Sequence, residues 1–198
     1  MSNWASILTN SLSNKLTVAQ QQNNATIITQ YLRSIGWTDL AIAATLANMD
    51  AESNGLNPAQ FQNGFPVGSE SGGFGLVQWT PRTKYSDWAG SDWETNFDKQ
   101  LLRIKYELDN DLQWQWRPGY TQYITFYNFT RSTDSLDYLT GAFLYYYEGP
   151  ADPEGTIAYR RSRAAYWYEY ITGIAPGPSG NLPIWLLFKI RWKGRVIK

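Results

Sequence analysis

Segments of helical period lie on both sides of a glycine-rich stretch, Asn63 to Gly75, which holds five glycines. A helix does not run through so many residues without Cβ atoms, whereas an irregular loop or a short hairpin does. Before the stretch, Ile27, Ile28, Tyr31, Leu32 and Ile35 form a helical stripe closed by Gly36. Thr38 then caps a second helix with Asp39 in its first turn, and Leu40, Ile42, Ala43, Leu46, Ala47 and Met49 make it mostly apolar up to a stop near Gly55. After the stretch, Leu76, Val77 and Trp79 read as a short strand, and Thr80-Pro81 as the start of a helix. Trp93, Phe97, Leu101, Ile104, Leu108 and Leu112 give the cleanest amphipathic helix. A polar and aromatic connection from Gln113 to Thr130 leads to a helix through Leu136, Leu139, Phe143 and Tyr146, broken at Gly149-Pro150. Ile157, Arg161, Ala164, Ala165, Tyr168 and Ile171 predict a last helix. The fold class is therefore mainly α (α+β), a helical domain with one small Gly-rich β element after the second helix. Residues 1–24 read as a polar lead-in, 25–175 as the domain, and 176–198 as a Pro/Gly linker with a basic amphipathic tail.

At 198 residues, one domain is expected. The chain has neither Cys nor His, which removes disulfides, thiol nucleophiles, Ser-His-Asp triads and His or Cys metal sites. Acid–base chemistry then falls to Asp, Glu, Lys or Tyr. Five of the 17 basic residues, Lys189, Arg191, Lys193, Arg195 and Lys198, fall in the last ten positions without one acid, so the body is mildly acidic. Its Lys and Arg are scattered, which argues against nucleic acid as a partner. Met1 to Lys15 carries no basic leader or apolar run, and Ile184 to Phe188 is far short of the roughly 20 residues of a spanning helix, so neither a signal peptide nor a membrane span is expected.

Three segments carry candidate chemistry. The first is Asn48-Met49-Asp50-Ala51-Glu52-Ser53, at the end of the apolar second helix. Desolvation and the negative helix C-terminus would both raise the pKa of Glu52 and suit it to general-acid work, while the spacing alone favours a solvated last-turn glutamate. The second is Gly73-Phe74-Gly75-Leu76-Val77-Gln78-Trp79-Thr80, where two glycines admit a close approach and Gln78 and Trp79 offer an amide and a stacking plane of the kind that binds sugars. A tight hairpin with a core Trp fits it as well. The third is Tyr145-Tyr146-Tyr147-Glu148-Gly149-Pro150, either a cleft wall or a core cluster with its hydroxyls at the rim.

With Tyr31-Leu32-Arg33-Ser34-Ile35-Gly36-Trp37-Thr38 ahead of these segments, in this order and spacing, the stretch from Ile27 to Ile171 resembles the phage tail-type lysozyme family. The resemblance covers about three quarters of the chain and implies a lysozyme-like fold and a peptidoglycan-cleaving virion tail component. It places Glu52 at the general acid, and Ser53, Phe74, Gly75, Gln78 and Trp79 along a glycan groove with Tyr146, Tyr147 and Glu148 on the opposite wall. Glu70, in the Gly-rich element, is the first candidate for a second catalytic carboxylate, followed by Asp50 and Glu148. No cofactor and no metal is implied.

The expected substrate is the β-1,4 bond between N-acetylmuramic acid and N-acetylglucosamine. A lytic transglycosylase of the same fold and a non-catalytic wall-binding tail protein are the alternatives. The tail alternates Phe188, Ile190, Trp192 and Val196 with cations, and suits an anionic wall polymer, lipid or another phage tail protein.

Overall fold

The computed structural model of the chain describes residues 1–118, 120 and 122–173. The basic tail and its alternating pattern lie outside them. Among the described residues there are seven α-helices, which we number α1 (Val18–Ser34), α2 (Asp39–Glu52), α3 (Thr83–Ala89), α4 (Asp98–Asp109), α5 (Phe126–Arg131), α6 (Leu136–Phe143) and α7 (Glu154–Thr172). A π-helical turn, Leu144–Glu148, prolongs α6. The mainly helical class follows directly from the sequence periods.

The centre of the molecule is α2, in which every residue from Leu40 to Asp50 is buried. A helix apolar on all sides must be covered on all sides, and α1, α5, α6 and α7 do so. Thr38 caps it by accepting from the Ala41 N–H, as its spacing predicts. Its alanines let neighbouring helices come close, and burial of a Leu or Ile of this layer contributes about 1.5–3 kcal/mol.

Differences from the sequence reading lie at element ends. The helix expected from Ile27 begins at Val18, because Thr17 and Gln20 form a capping box. Residue 24 therefore lies inside α1. The polar residues ahead of it are pinned: Asn24 and Asn57 exchange hydrogen bonds with the backbone of Ala5 and Ile7, and Asp98 accepts from the Ser2 N–H and the Trp4 indole at 2.8 Å each. Helix α3 starts at Thr83 rather than Thr80, and Thr125 caps a short helix, α5, inside the expected connection.

The Gly-rich element contains no strand. It is held by isolated bridges, Phe61 with Phe74 and Phe74 with Trp79, and Leu76-Val77 form a turn between them. Its anchor is Gln100 of α4, which accepts from the Leu76 N–H at 2.8 Å and donates to the Pro58 carbonyl at 2.7 Å. Gly75 sits against that amide at φ +83°, where an added Cβ would come within 2.6 Å of the Gln100 oxygen. Side chains are excluded there on both counts. Phe61, Phe74, Tyr85 and Trp93 stack beneath the element and fasten it to the domain.

Candidate active site

The site is built where α2 ends. Glu52 is its last residue, and Asn48 lies one turn earlier on the same side. Arg160 of α7 reaches both. Its Nη1 donates to the Asn48 side-chain oxygen at 2.9 Å and to the Asn48 carbonyl at 3.3 Å, and its Nη2 donates to Glu52 Oε1 at 2.5 Å. Arg160 is buried, whereas the Glu52 side chain is 21% exposed. Glu52 was expected against apolar neighbours; its carboxylate instead faces a guanidinium.

A second carboxyl comes from the π-helical turn. The turn carries Glu148 to the end of the prolonged α6, where it is partly exposed as a residue while Oε1 is enclosed and without a hydrogen-bond partner in the protein. Burial, then the charge of Glu52 and a smaller push from Glu107, raise the Glu148 pKa well above its ordinary value near 4.5, against the pull of Arg160. Two carboxyls and one cation thus share one electrostatic site. π-turns of this kind recur at functional sites.

The wall behind Glu148 is fixed by Glu107 of α4. Its carboxylate accepts from the Trp79 indole at 2.9 Å, from Arg103 Nε at 2.8 Å and from the Tyr147 hydroxyl. These contacts tie the Gly-rich element to the π-turn through one buried acid. Burial and that acid push the Tyr147 hydroxyl well above its ordinary value, so it donates as a neutral group.

The carbonyls left open by the π-turn are taken by a strap formed by residues 113–118. Gln115 N–H donates to the Tyr146 carbonyl at 2.8 Å, Gln113 to that of Tyr147 at 3.1 Å, and Arg117 to that of Gly149 at 3.2 Å. Gly149 adopts a left-handed conformation at φ +57°, and a Cβ there would lie 2.2 Å from the Arg117 guanidinium.

Each residue singled out from the sequence has a definite place. Ser53 is buried and donates to the Met49 carbonyl at 2.5 Å. Phe74, Trp79, Tyr146 and Tyr147 are buried core rings, Trp79 stacked on Tyr85 and Tyr147 on Phe143, and they present no plane to solvent. Of the Gly-rich motif, Gln78 is partly exposed, held at φ +49° with its amide donating to the Gln60 and Gly75 carbonyls. The Glu70 side chain is 79% exposed and pairs with Arg82 at 3.7 Å. Asp50 is enclosed between Arg163 and Trp167.

Sequence reading did not single out Arg160, Glu107 or Trp116. Trp116 is the exposed aromatic of the strap, 63% accessible between the anchored Gln115 and Arg117. Arg160 and Glu107 each sit among other charged residues of their helices, and nothing local distinguishes an inward charge from a solvated one.

Comparison with known proteins shows the family. Residues 23–171 match the family described as phage tail lysozyme. The chain belongs to that family. It is also 42% identical, over 160 residues, to "Morphogenesis protein 1" of Bacillus phage B103. That match takes in 80% of this chain and 42% of the relative, so the chain spans about two fifths of the length of that phage protein. The family match begins inside α1 and ends inside α7, and so includes Glu52, Glu148 and Arg160. No helix among the described residues is long and apolar enough to cross a membrane.

Proposed function

We propose that the chain is a glycoside hydrolase, a muramidase that cuts the β-1,4 bond between N-acetylmuramic acid and N-acetylglucosamine, and that it acts as part of a virion tail on the bacterial wall. The observation that carries this reading is the Glu52–Glu148 pair beside Arg160 in a chain of the phage tail lysozyme family. Glycoside hydrolysis asks for one carboxyl that protonates the leaving oxygen and a second group that supports attack of water on the anomeric carbon. Glu52, the more open of the two, is the proton donor. Glu148 takes the place expected for Glu70, because it shares the electrostatic site of Glu52, while Glu70 is mostly solvated and paired elsewhere.

The glycan strand is held by polar and exposed groups rather than by the buried rings. Gln78 supplies an amide on the Gly-rich side, and Trp116 supplies a sugar-stacking plane on the strap beside Glu148. Other tail proteins are further partners of a virion component, and the basic tail suits an anionic wall polymer or lipid.

The test is mass spectrometry of muropeptides released from purified peptidoglycan by the wild type and by Glu52→Gln. Reducing N-acetylmuramic ends that disappear with the variant are the expected result. Anhydro ends would make the enzyme a lytic transglycosylase, and no release by the wild type would leave a wall-binding tail protein.

A further inference from the structure

Around the site three buried groups have no partner in the protein: the Nε–H of Arg160 and that of Arg117 on the strap, both donors, and Oε1 of Glu148, an acceptor. Leaving such a group unpaired costs about 1–3 kcal/mol, more for a charged group, which favours an arrangement that pairs Arg160 with Glu148. Arg160 has a long flexible stem, and its contact with Glu52 is made by Nη2 alone. The charged and titratable groups around Glu148 are Glu52 from α2, Glu107 from α4, Arg160 from α7 and the neighbouring Tyr147 hydroxyl.

We propose that Arg160 is a positioning residue taken by the two carboxyls in turn: it bonds Glu52 in the arrangement seen here and moves to Glu148 when the glycan enters the groove, leaving Glu52 to carry the proton it gives to the glycosidic oxygen. This inference rests on the muramidase reading and deepens it. The exchange balances. Before it, Glu52 is a carboxylate paired with Arg160 and Glu148 is a neutral acid; after it, Glu148 is the carboxylate paired with Arg160 and Glu52 is the neutral acid. One proton and one cation are present in both states. The proton leaves Glu148 as the guanidinium arrives and is taken up at Glu52, whose side chain is partly open to solvent. Glycan entry favours the second state by displacing water from Glu52, because desolvation opposes its charged form.

The exchange predicts an unusual double-variant result. Glu148→Gln copies the neutral acid in shape and removes the second resting place of Arg160, so the guanidinium stays on Glu52. Its kcat on purified glycan strands falls tenfold or more with KM within about twofold. Adding Arg160→Met releases Glu52, and the double variant, although it still lacks the second carboxyl and so stays below the wild type, regains kcat severalfold over Glu148→Gln alone. If Arg160 only held the helices together, the second substitution would lower activity further. A double variant no more active than Glu148→Gln, with both folded by circular dichroism and thermal melting, overturns the proposal.

A readout independent of turnover separates this outcome from failure of the muramidase reading. In protein with 13C-labelled glutamate carboxyls, adding the N-acetylglucosamine tetramer should move the Glu148 resonance toward the ionised position and that of Glu52 toward the protonated one. Opposite shifts support the exchange even where peptidoglycan is not cut. A bound tetramer that leaves both resonances unmoved, or no binding by the tetramer, overturns it.

Discussion

Asp50 and Glu52 stand two residues apart on α2, and each pairs at 2.5 Å with an arginine of α7, yet the two pairs are different devices. Asp50 is fully enclosed; Arg163 Nε and, at 2.9 Å, the Trp167 indole donate to its Oδ2, and Arg163 lies over the Tyr166 and Trp167 rings. The acid there has neutral and cationic donors around it and no second acid competing. Glu52 opens toward solvent, has one guanidinium, and shares it with another carboxyl. An acid–arginine pair therefore does not by itself announce a function. What decides is whether the pair is closed off from solvent, as at Asp50, or partly open and shared with a second carboxyl, as at Glu52.

Substitutions can break this contrast. The largest effect is expected for Glu52→Gln, which should lower turnover of peptidoglycan by roughly 10²–10⁴, the range of a lost general acid, with the melting temperature nearly unchanged. A loss of stability comparable to that of Asp50 variants would erase the distinction. Asp50→Ala should do the reverse: leaving Arg163 and the Trp167 N–H without their acceptor should cost about 3–5 kcal/mol, a fall in melting temperature of roughly 10 °C at this size, while the folded fraction keeps its specific activity. Calorimetry and activity measured on the same samples check both.

A smaller effect is expected from the two arginines. Arg163→Met should destabilise by about 1–3 kcal/mol because Asp50 then stays buried with one donor fewer. Arg160→Met frees Glu52 to solvent but leaves the buried Asn48 side-chain oxygen without its donor, so it should cost a similar amount, about 1–3 kcal/mol. A loss well above that in urea unfolding would mean that the Glu52 pair is structural too.

The smallest effect is on pH dependence. Because burial and the Glu52 charge raise the Glu148 pKa, the folded chain binds that proton more tightly than the unfolded chain does. This contribution to stability is complete below the unfolded value near 4.5 and is lost as pH rises through the folded value. Glu148→Gln cannot ionise and should remove that slope, so the variant gains on the wild type as pH increases. Parallel stability curves for the two proteins would show that Glu148 is solvated.

Much of this was legible in the sequence because it is local. Thr38 and the run of apolar residues placed α2, and counting turns put Glu52 at its end beside a glycine-rich break. Even the early start of α1 was written in Thr17 and Gln20, a capping signal hidden among polar residues. The aromatic letters of the Gly-rich motif and of Tyr146-Tyr147 were visible too, but a ring's composition does not tell whether it faces a sugar or a core. Trp79 and Tyr147 point inward because Glu107, buried on α4, accepts from both.

The helices, the break between them and the acid at the helix end are local properties of the chain, since each depends on residues a few positions apart. The tertiary structure decided which charges meet. Arg160 lies 108 residues from Glu52, and Trp79 lies 28 from Glu107. Whether such side chains are paired, enclosed or open to water depends on the packing of α2, α4, the π-turn and α7 together. Burial and partnership at that distance set the charge states of the site, and no local period encodes them.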